Sequence, residues 1–514
     1  MIDDLSRRQL LRAGASAAAA AVLSSPAAAA NGRSPLVAAG DGIVPWTWSI
    51  PDEAVVKRYG HPSWTLEVDT KSEESLQSWA DGGDERYVER YREFDEDVAM
   101  ALVAAPETAA ERLLSNAWVR SMDLDIAASL HEPVTPAASS AVDQTANVGR
   151  LQQFRVDTSA LDVGLAYEED MPPVDMETVR TETQGVDAAG SGITVAVIDT
   201  GVNQGDSNEV FDDTLGGTRL SSNSWNAIDD ETGRTAVADG NGHGSFVAAQ
   251  IASSRAEPYQ GYLPSATVLG VKVLDDDGSG TAHNIAAGIR YAADQGADVA
   301  CLSLGSPVYS AAMDNALSYA AGAGMVCVVA VGNDRYGTRW VATPASGSDA
   351  IAVAAATGEP AAEAQVAYFA NHGPHPGSTD KSAGATANAR PDLIAPGCKI
   401  ETEVPTESGG IETRRLTGTS MAAPCVAGGI GQLYAEDGEP QGDFSATYDR
   451  ITAGEPMPAA GISEDGGHGM LAVQRAVDDD RAEDLAERTS GAEGRDDAHR
   501  TLSDLEGRRL AAWF

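Results

Sequence analysis

From about Gly185 onward, short apolar runs alternate with stretches of helical period, and this pattern limits the folds open to the chain. The runs "ITVAVID", "TVLGVKVL", "DVACLSL", "MVCVVAVGN" and "AIAVAAA" are each short, rich in β-branched or small apolar residues, and bounded by glycine or polar turns. Between them lie "SFVAAQIASS", "NIAAGIRYAADQGA" and "AAMDNALSYAAGAG", which have helical spacing. Strands apolar on both faces and separated by helices imply a mostly parallel sheet sandwiched by helices, an α/β fold. In such a sheet, reactive residues collect at the carboxyl ends of the strands.

The preceding region has a different pattern. Within "DEDVAMALVAAPETAAERLLSNAWVRSMDLD" the order is strand over Val98 to Val103, helix opened by Pro106, and extension again over Trp118 to Met122. A small α+β domain over residues 31–132 is expected. The segment "EPVTPAASSAVDQTANVG" that follows, rich in Pro, Ser, Thr and Ala, is an exposed linker, and residues 133–184 form a linker and extension. The α/β domain then spans 185–477, and 478–514 is an acidic, helix-prone tail.

Residues 1–30 have a different character. Arg7 and Arg8 precede a short apolar run and an alanine-rich stretch, with cleavage expected between Ala27 and Asn31. The run is too short and too weakly apolar to span a bilayer. It resembles a twin-arginine export signal, which implies a secreted, extracellular protein. No cysteine lies directly after the signal and no later stretch is apolar for long enough to cross a bilayer, so no stable membrane anchor is expected.

The 514 residues include 77 acidic and 35 basic side chains, a formal net charge of −42. A field of that sign repels polyanions and excludes nucleic acid as a natural partner. Only five of the basic residues are lysine, and the acidity is spread along the chain rather than held in the tail. That composition resembles proteins of salt-loving microbes, an acidic mesophile protein being the alternative. Cys301, Cys327, Cys398 and Cys425 each lie in apolar segments without metal-ligand spacing, which favours free thiols.

Four residues at strand or helix ends carry candidate chemistry. Asp199 closes "ITVAVID" and is either a turn former or a buried carboxylate that orients a base. His243, between two glycines at the start of a small-residue helix, is placed for acid–base work, although a lone histidine is more often structural. Ser420 in "GTSMAAP" is a helix N-cap or a nucleophile whose own N–H faces an anion. Asn333 ends "MVCVVAVGN" and is a turn residue or an amide donor.

Taken in order, "VAVIDTGV", "GNGHGSFVA" and "TGTSMAAPCVAGG", supported by "KVLDDDGSG", "LSLGS", "VGND" and "RPDLIAPG", resemble the subtilisin-like serine proteases over about Gly185 to Val477. The resemblance implies a subtilisin-like fold and a secreted serine endopeptidase made as an inactive precursor. Ser420 would be its nucleophile, His243 its general base and acid, and Asp199 the residue orienting the imidazole. Asn333 and the Ser420 N–H would form the oxyanion hole. Gly278, Ser279 and Gly280 resemble one substrate-binding edge, and Ser303, Leu304 and Gly305 the other, with the peptide lying between them as an added strand. Ala330 and Gly332 would line a roomy pocket for the residue before the cut, suited to large apolar side chains.

The same resemblance implies protein or peptide substrates, the 31–132 domain as an intramolecular inhibitor, and no cofactor for the chemistry. Structural calcium has no clear motif. Asp206, Asn208 and the run Asp275 to Asp277 are acidic enough to bind it, yet acidic surface explains them as well. His283, His372, His375 and His468 read as surface residues. Ser245, Phe246 and Ala249 depart from the Thr, His and Gly usual in the family, none at a triad position. A non-catalytic binding protein on this fold, or a hydrolase of esters, are the competing functions.

Overall fold

The computed structural model describes residues 54–131 apart from 95–96, the backbone of 165–166, and 172–477 apart from 205–209, 212–217, 336–339, 358–363, 368, 374–390, 439–443 and 453–466. The export signal, the linker after His131, Asp206, Asn208, His375 and the acidic tail lie outside the described residues.

Two layers of organisation match the two patterns in the sequence. In the N-terminal unit, antiparallel strands β1 (His61–Asp69), β2 (Tyr87–Glu93), β3 (Val98–Ala104) and β4 (Val119–Leu124) pair in the order β4–β1–β3–β2. Helices α1 (Glu73–Asp81) and α2 (Glu107–Leu113) complete it. The expected strand, helix and strand are thus β3, α2 and β4. Trp64, Leu66, Leu76, Met100, Leu113 and Met122 are buried in or beside this sheet.

The unit continues into β5 (Ala127–Leu130), which leaves its own sheet and pairs elsewhere, as described below.

The larger unit is a ten-stranded sheet. Its parallel centre comprises β6 (Thr194–Asp199), β7 (Thr267–Lys272), β9 (Val299–Leu302), β11 (Val326–Ala330), β12 (Ala350–Ala356) and β13 (Leu393–Pro396). Between these in the chain lie the short edge strands β8 (Ser279–Thr281) and β10 (Leu304–Gly305). The spatial order is β7–β6–β9–β11–β12–β13, every neighbouring pair parallel. Almost every residue of these strands is buried, which is why they read as continuous apolar runs rather than alternating ones.

Helices α3 (His243–Ala252) and α6 (Thr419–Asp437) pack on each other and on the sheet, while α4 (Ala282–Asp294) and α5 (Ala311–Gly322) form a second pair. All four cysteines are buried free thiols.

Helix starts divide into two kinds. Helices α4 and α5 are capped by their own side chains: Thr281 accepts from Asn284 N–H at 3.3 Å, and Ser310 from Met313 N–H at 3.4 Å. Helices α3 and α6 begin after Gly242 and Gly418 and have no such cap. Their first N–H groups are satisfied by residues outside the helices, and those residues belong to the site.

The N-terminal unit rests on α4 and α5 through charged and polar groups. Asp125 accepts from His283 N–H at 2.9 Å at the start of α4. Asp123 accepts from the Ser310 hydroxyl at 3.1 Å and Ala312 N–H at 3.3 Å at the start of α5. Both carboxyls are thereby placed at positive helix ends, but burial dominates and pushes each up to about 6. Glu67 pairs with Arg290, both largely buried. Arg90 donates to the carbonyls of Ala227 and Ile228, and the Arg92 guanidinium stacks 4.2 Å over the Trp225 ring.

His283 corrects an expectation. It is 4% exposed, lies against Thr65 of the N-terminal unit at 3.3 Å, and is pushed down to about 3 by burial and by the neighbouring Arg90 and Arg58. A histidine at a helix start looks exposed in sequence; here the docked unit covers it. His372 is half-buried, and His468 is exposed as expected.

Replacing Arg290 by Ala leaves the carboxylate of Glu67 buried without its cation, a change that typically costs about 3–5 kcal/mol. In the full chain carrying Ser420→Ala, Arg290→Ala is expected to loosen the N-terminal unit, detected as faster proteolysis within residues 54–131. An unchanged proteolysis rate would show that the pair does not hold the unit.

Candidate active site

The carboxyl ends of β6 and β11 and the starts of α3 and α6 converge. Asp199 is the last residue of β6 and His243 the first of α3, and their side chains meet at 2.8 Å between Asp199 Oδ1 and His243 Nδ1. Both are almost fully buried, at 0% and 2% exposure. The contact fixes the imidazole with Nδ1 toward the carboxylate, and Nε2 is buried without a hydrogen-bond partner.

Such an approach requires glycine after the histidine. A Cβ on Gly244 would lie 2.2 Å from the Gly201 carbonyl oxygen and 3.1 Å from Asp199 Cβ, so any side chain would drive α3 away from β6.

The start of α3 is tied to the end of β6 by groups that the sequence did not single out. Thr200 Oγ1 accepts from Gly244 N–H at 3.0 Å and donates to Asp239 Oδ1 at 2.8 Å. Asp239 also accepts from Gly242 N–H at 2.7 Å and, through Oδ2, from Ser245 N–H at 2.8 Å and the Ser245 hydroxyl at 2.7 Å. One buried carboxylate therefore caps the helix that carries His243 and holds the residue beside Asp199. An acid four residues before the histidine in "DGNGHGS" was the available signal. Ser245, one of the family departures, retains a hydroxyl that serves this contact and accepts from Asn203 N–H at 3.0 Å. Phe246 and Ala249 are fully buried on the same helix.

Ser420 is the second residue of α6, so its N–H has no acceptor within the helix. Its hydroxyl lies 3.3 Å from the Ser303 carbonyl oxygen and 3.3 Å from that of His131, and it is not hydrogen-bonded to His243 in this arrangement. Ser303 Oγ donates in turn to the Ser420 carbonyl at 2.9 Å. Asn333 caps α6: its Oδ1 accepts from Thr419 N–H at 2.9 Å and the Thr419 hydroxyl at 2.8 Å. That orients Nδ2 toward the His131 carbonyl oxygen, 3.3 Å away.

The two expected substrate edges flank β5. Ser279, Gly280 and Thr281 pair antiparallel with Ser129, Ala128 and Ala127, and Leu304 and Gly305 pair with Leu130 and Ser129 on the other side. Leu130 N–H donates to the Gly278 carbonyl at 2.9 Å. The chain's own residues 127–131 thus occupy the cleft as a third strand, and the His131 ring reaches Ala330 and Gly332. All the candidate site residues fall in one place. The residue that sequence reasoning missed here is His131, which sits at the edge of a linker and belongs to no motif.

Asp276 is paired with Lys272 at 2.8 Å, which holds its carboxyl below the usual range. Asp275 accepts from Asp277 and Ser279 N–H at 3.0 and 2.8 Å, closing the turn before β8. Among the described residues, no group of three His, Cys, Asp or Glu is placed to hold a metal ion.

A model of the subtilase family (peptidase S8) matches residues 190–450, which hold Asp199, His243, Asn333 and Ser420. The chain is a subtilase. It is 36% identical over 255 residues to thermitase of Thermoactinomyces vulgaris, covering 48% of this chain and 77% of thermitase. To subtilisin Savinase of Lederbergia lenta it is 34% identical over 240 residues, 46% of this chain and 75% of that protein. Alkaline elastase YaB of a Bacillus species is 34% identical over 283 residues, 53% of this chain and 65% of the elastase. Among solved structures, fervidolysin of Fervidobacterium pennivorans, a keratinolytic enzyme related to subtilisin, matches with a TM-score of 0.60 at 21% identity. That match covers 83% of this chain and 62% of fervidolysin, and shows the subtilisin-like fold. This subtilase is accordingly a serine endopeptidase acting on protein or peptide substrates. Among the described residues, no helix is long and apolar enough to cross a membrane.

Asp239 holds both the loop after Asp199 and the start of the His243 helix. Asp239→Ala is expected to lower kcat at least about tenfold with KM changed little, because only the positioning of the imidazole is disturbed. Steady-state kinetics on a peptide substrate would decide it; a loss confined to KM would place Asp239 outside this role.

Proposed function

We propose that this subtilase is a secreted endopeptidase made as an inactive precursor, with Ser420 as nucleophile, His243 as general base and acid, and Asp199 as the residue that orients the imidazole. The observation that carries it is the placement of a peptide carbonyl, that of His131, within 3.3 Å of both Ser420 Oγ and Asn333 Nδ2. A nucleophile and a stabilising donor aimed at one carbonyl is the arrangement acyl transfer requires.

The chemistry follows from the groups present. A turn of the Ser420 hydroxyl to the unpartnered Nε2 of His243 gives the base its proton as Oγ attacks the carbonyl carbon. Asp199, buried and bonded to Nδ1, stabilises the imidazolium that forms. Negative charge developing on the carbonyl oxygen meets Asn333 Nδ2 and the Ser420 N–H at the positive end of α6. His243 then returns the proton to the leaving amine, and water repeats the sequence on the acyl-enzyme.

The N-terminal unit, within residues 31–132, is the inhibitor. Its strand β5 fills the cleft with the same pairing a substrate would use, and its contacts with α4 and α5 hold it there. The strand pairing with β8 and β10 favours peptide over ester substrates. The twin arginines Arg7 and Arg8 support export in the folded state, and the acidic, lysine-poor composition supports work in high salt. No cofactor enters the chemistry.

Ser420→Ala is expected to abolish peptide hydrolysis and to leave the precursor uncut. Asn333→Ala should lower kcat by about 10²–10³. Casein hydrolysis by Ser420→Ala at the wild-type rate would refute the nucleophile assignment.

A further inference from the structure

Resting on the assignment of Ser420 as nucleophile, we infer that the pocket behind it selects an imidazole side chain, so that the first cut falls between His131 and Glu132 and preferred substrates carry histidine at the residue before the bond. The register of β5 fixes the bond. Ser129 pairs with both edges, Leu130 bonds to Gly278, and the next carbonyl, that of His131, is the one facing Ser420 and Asn333.

The pocket explains the side chain. His131 Nε2 lies 3.2 Å from the Ala330 carbonyl oxygen. A carbonyl only accepts, so Nε2 carries the hydrogen. The walls are shaped around the ring. A Cβ on Gly305 would lie 2.8 Å from His131 Cε1, and one on Gly332 would lie 3.4 Å from Cε1 and 2.6 Å from Asn371 Nδ2. Asn371, 3% exposed, therefore shares a wall with the ring, and its Oδ1 is buried without a partner. The expected preference for large apolar residues overlooked these two polar groups. A phenyl ring fills the same space but leaves the Ala330 carbonyl unpaired, a loss of about tenfold or more.

Burial pushes the His131 imidazole down to about 4, against hydrogen bonds to the Ala330 and Leu304 backbone. The titratable groups acting on it are His243, which lowers it further, and Asp199, which opposes. Because the bound value lies below the free value of about 6.5, the preference is complete above pH 6.5 and is lost as pH falls toward 4.

In the step itself, Ser420 Oγ bonds to the His131 carbonyl carbon as its proton passes to His243. The bond to the Glu132 nitrogen breaks as His243 returns that proton to it. Water, deprotonated by His243, then splits the ester to leave a His131 carboxylate and a Glu132 amine.

The test uses the full precursor expressed in high salt. Sequencing the earliest product is expected to give Glu132 at the new N-terminus, and His131→Phe should slow this first cut about tenfold. The processed enzyme is then assayed on fluorogenic Ala-Ser-Leu-X peptides. At pH 8, kcat/KM for X = His should exceed that for X = Phe at least tenfold, and the ratio should fall between pH 6.5 and 4. Titration of His243 cancels in that ratio. An active enzyme with another first N-terminus, or one that prefers Phe, overturns the inference and leaves Ser420 as nucleophile. A folded chain that hydrolyses none of the peptides and resists a serine-directed fluorophosphonate overturns both.

Discussion

The site depends on helices that are capped by the strands they must meet. Helices α3 and α6 start at glycines and bring no cap of their own, so their first N–H groups need acceptors from elsewhere. Thr200 and Asp239 supply them for α3, and Asn333 supplies one for α6. Each cap satisfies an orphan donor and also fixes the spacing between a strand end and a helix start. His243 is thus delivered to Asp199, and Asn333 to Ser420, by the same bonds that terminate the helices. A side-chain cap within either helix would satisfy the backbone equally well and leave the four groups unconnected.

The pairing of β5 with β8 and β10 places the chain's own strand between the two edges of the cleft. Backbone hydrogen bonds to an added strand are indifferent to sequence, so the cleft holds its own chain as it would hold a substrate. Protonation of the contact surface has opposing signs. Asp123 and Asp125, raised to about 6, take up protons on docking and favour it as pH falls from 6 toward 3.8. His131 and His283, lowered to about 4 and about 3, favour docking above 6.5 and weaken it as pH falls through the same region. The two pairs therefore act in opposite directions as pH falls.

Much of this architecture was legible in the residues. Buried parallel strands announce themselves as apolar runs, and the unit before the linker showed its strand, helix and strand. Asp199, His243, Asn333 and Ser420 stood out because each lies in a motif at the end of an element. Asp239 did not, because an acid in an exposed-looking loop acquires its role only when α3 folds back over β6. His131 and His283 were hidden for a related reason: their surroundings are made by contact between the two units, separated by more than a hundred residues in the case of His283 and Thr65. Local periodicity carries no information about such contacts.

The acidic composition sharpens the importance of the few cations. In a chain with 77 acidic and 35 basic residues, cations are few, yet Arg90, Arg92 and Arg290 all lie between the N-terminal unit and the enzyme. Arg92 also pairs with the exposed Asp230, a contact that salt screens, but the other contacts are of kinds that salt weakens least. Arg290 and Glu67 are 4% and 13% exposed, Arg90 donates to backbone carbonyls, and Arg92 lies over an aromatic face. Exposed pairs more than several ångströms apart fade at an ionic strength of about 1 M, where the Debye length is about 3 Å, whereas buried pairs are screened much less. High salt therefore relieves repulsion among the surface carboxylates while leaving the buried Arg290–Glu67 pair largely intact.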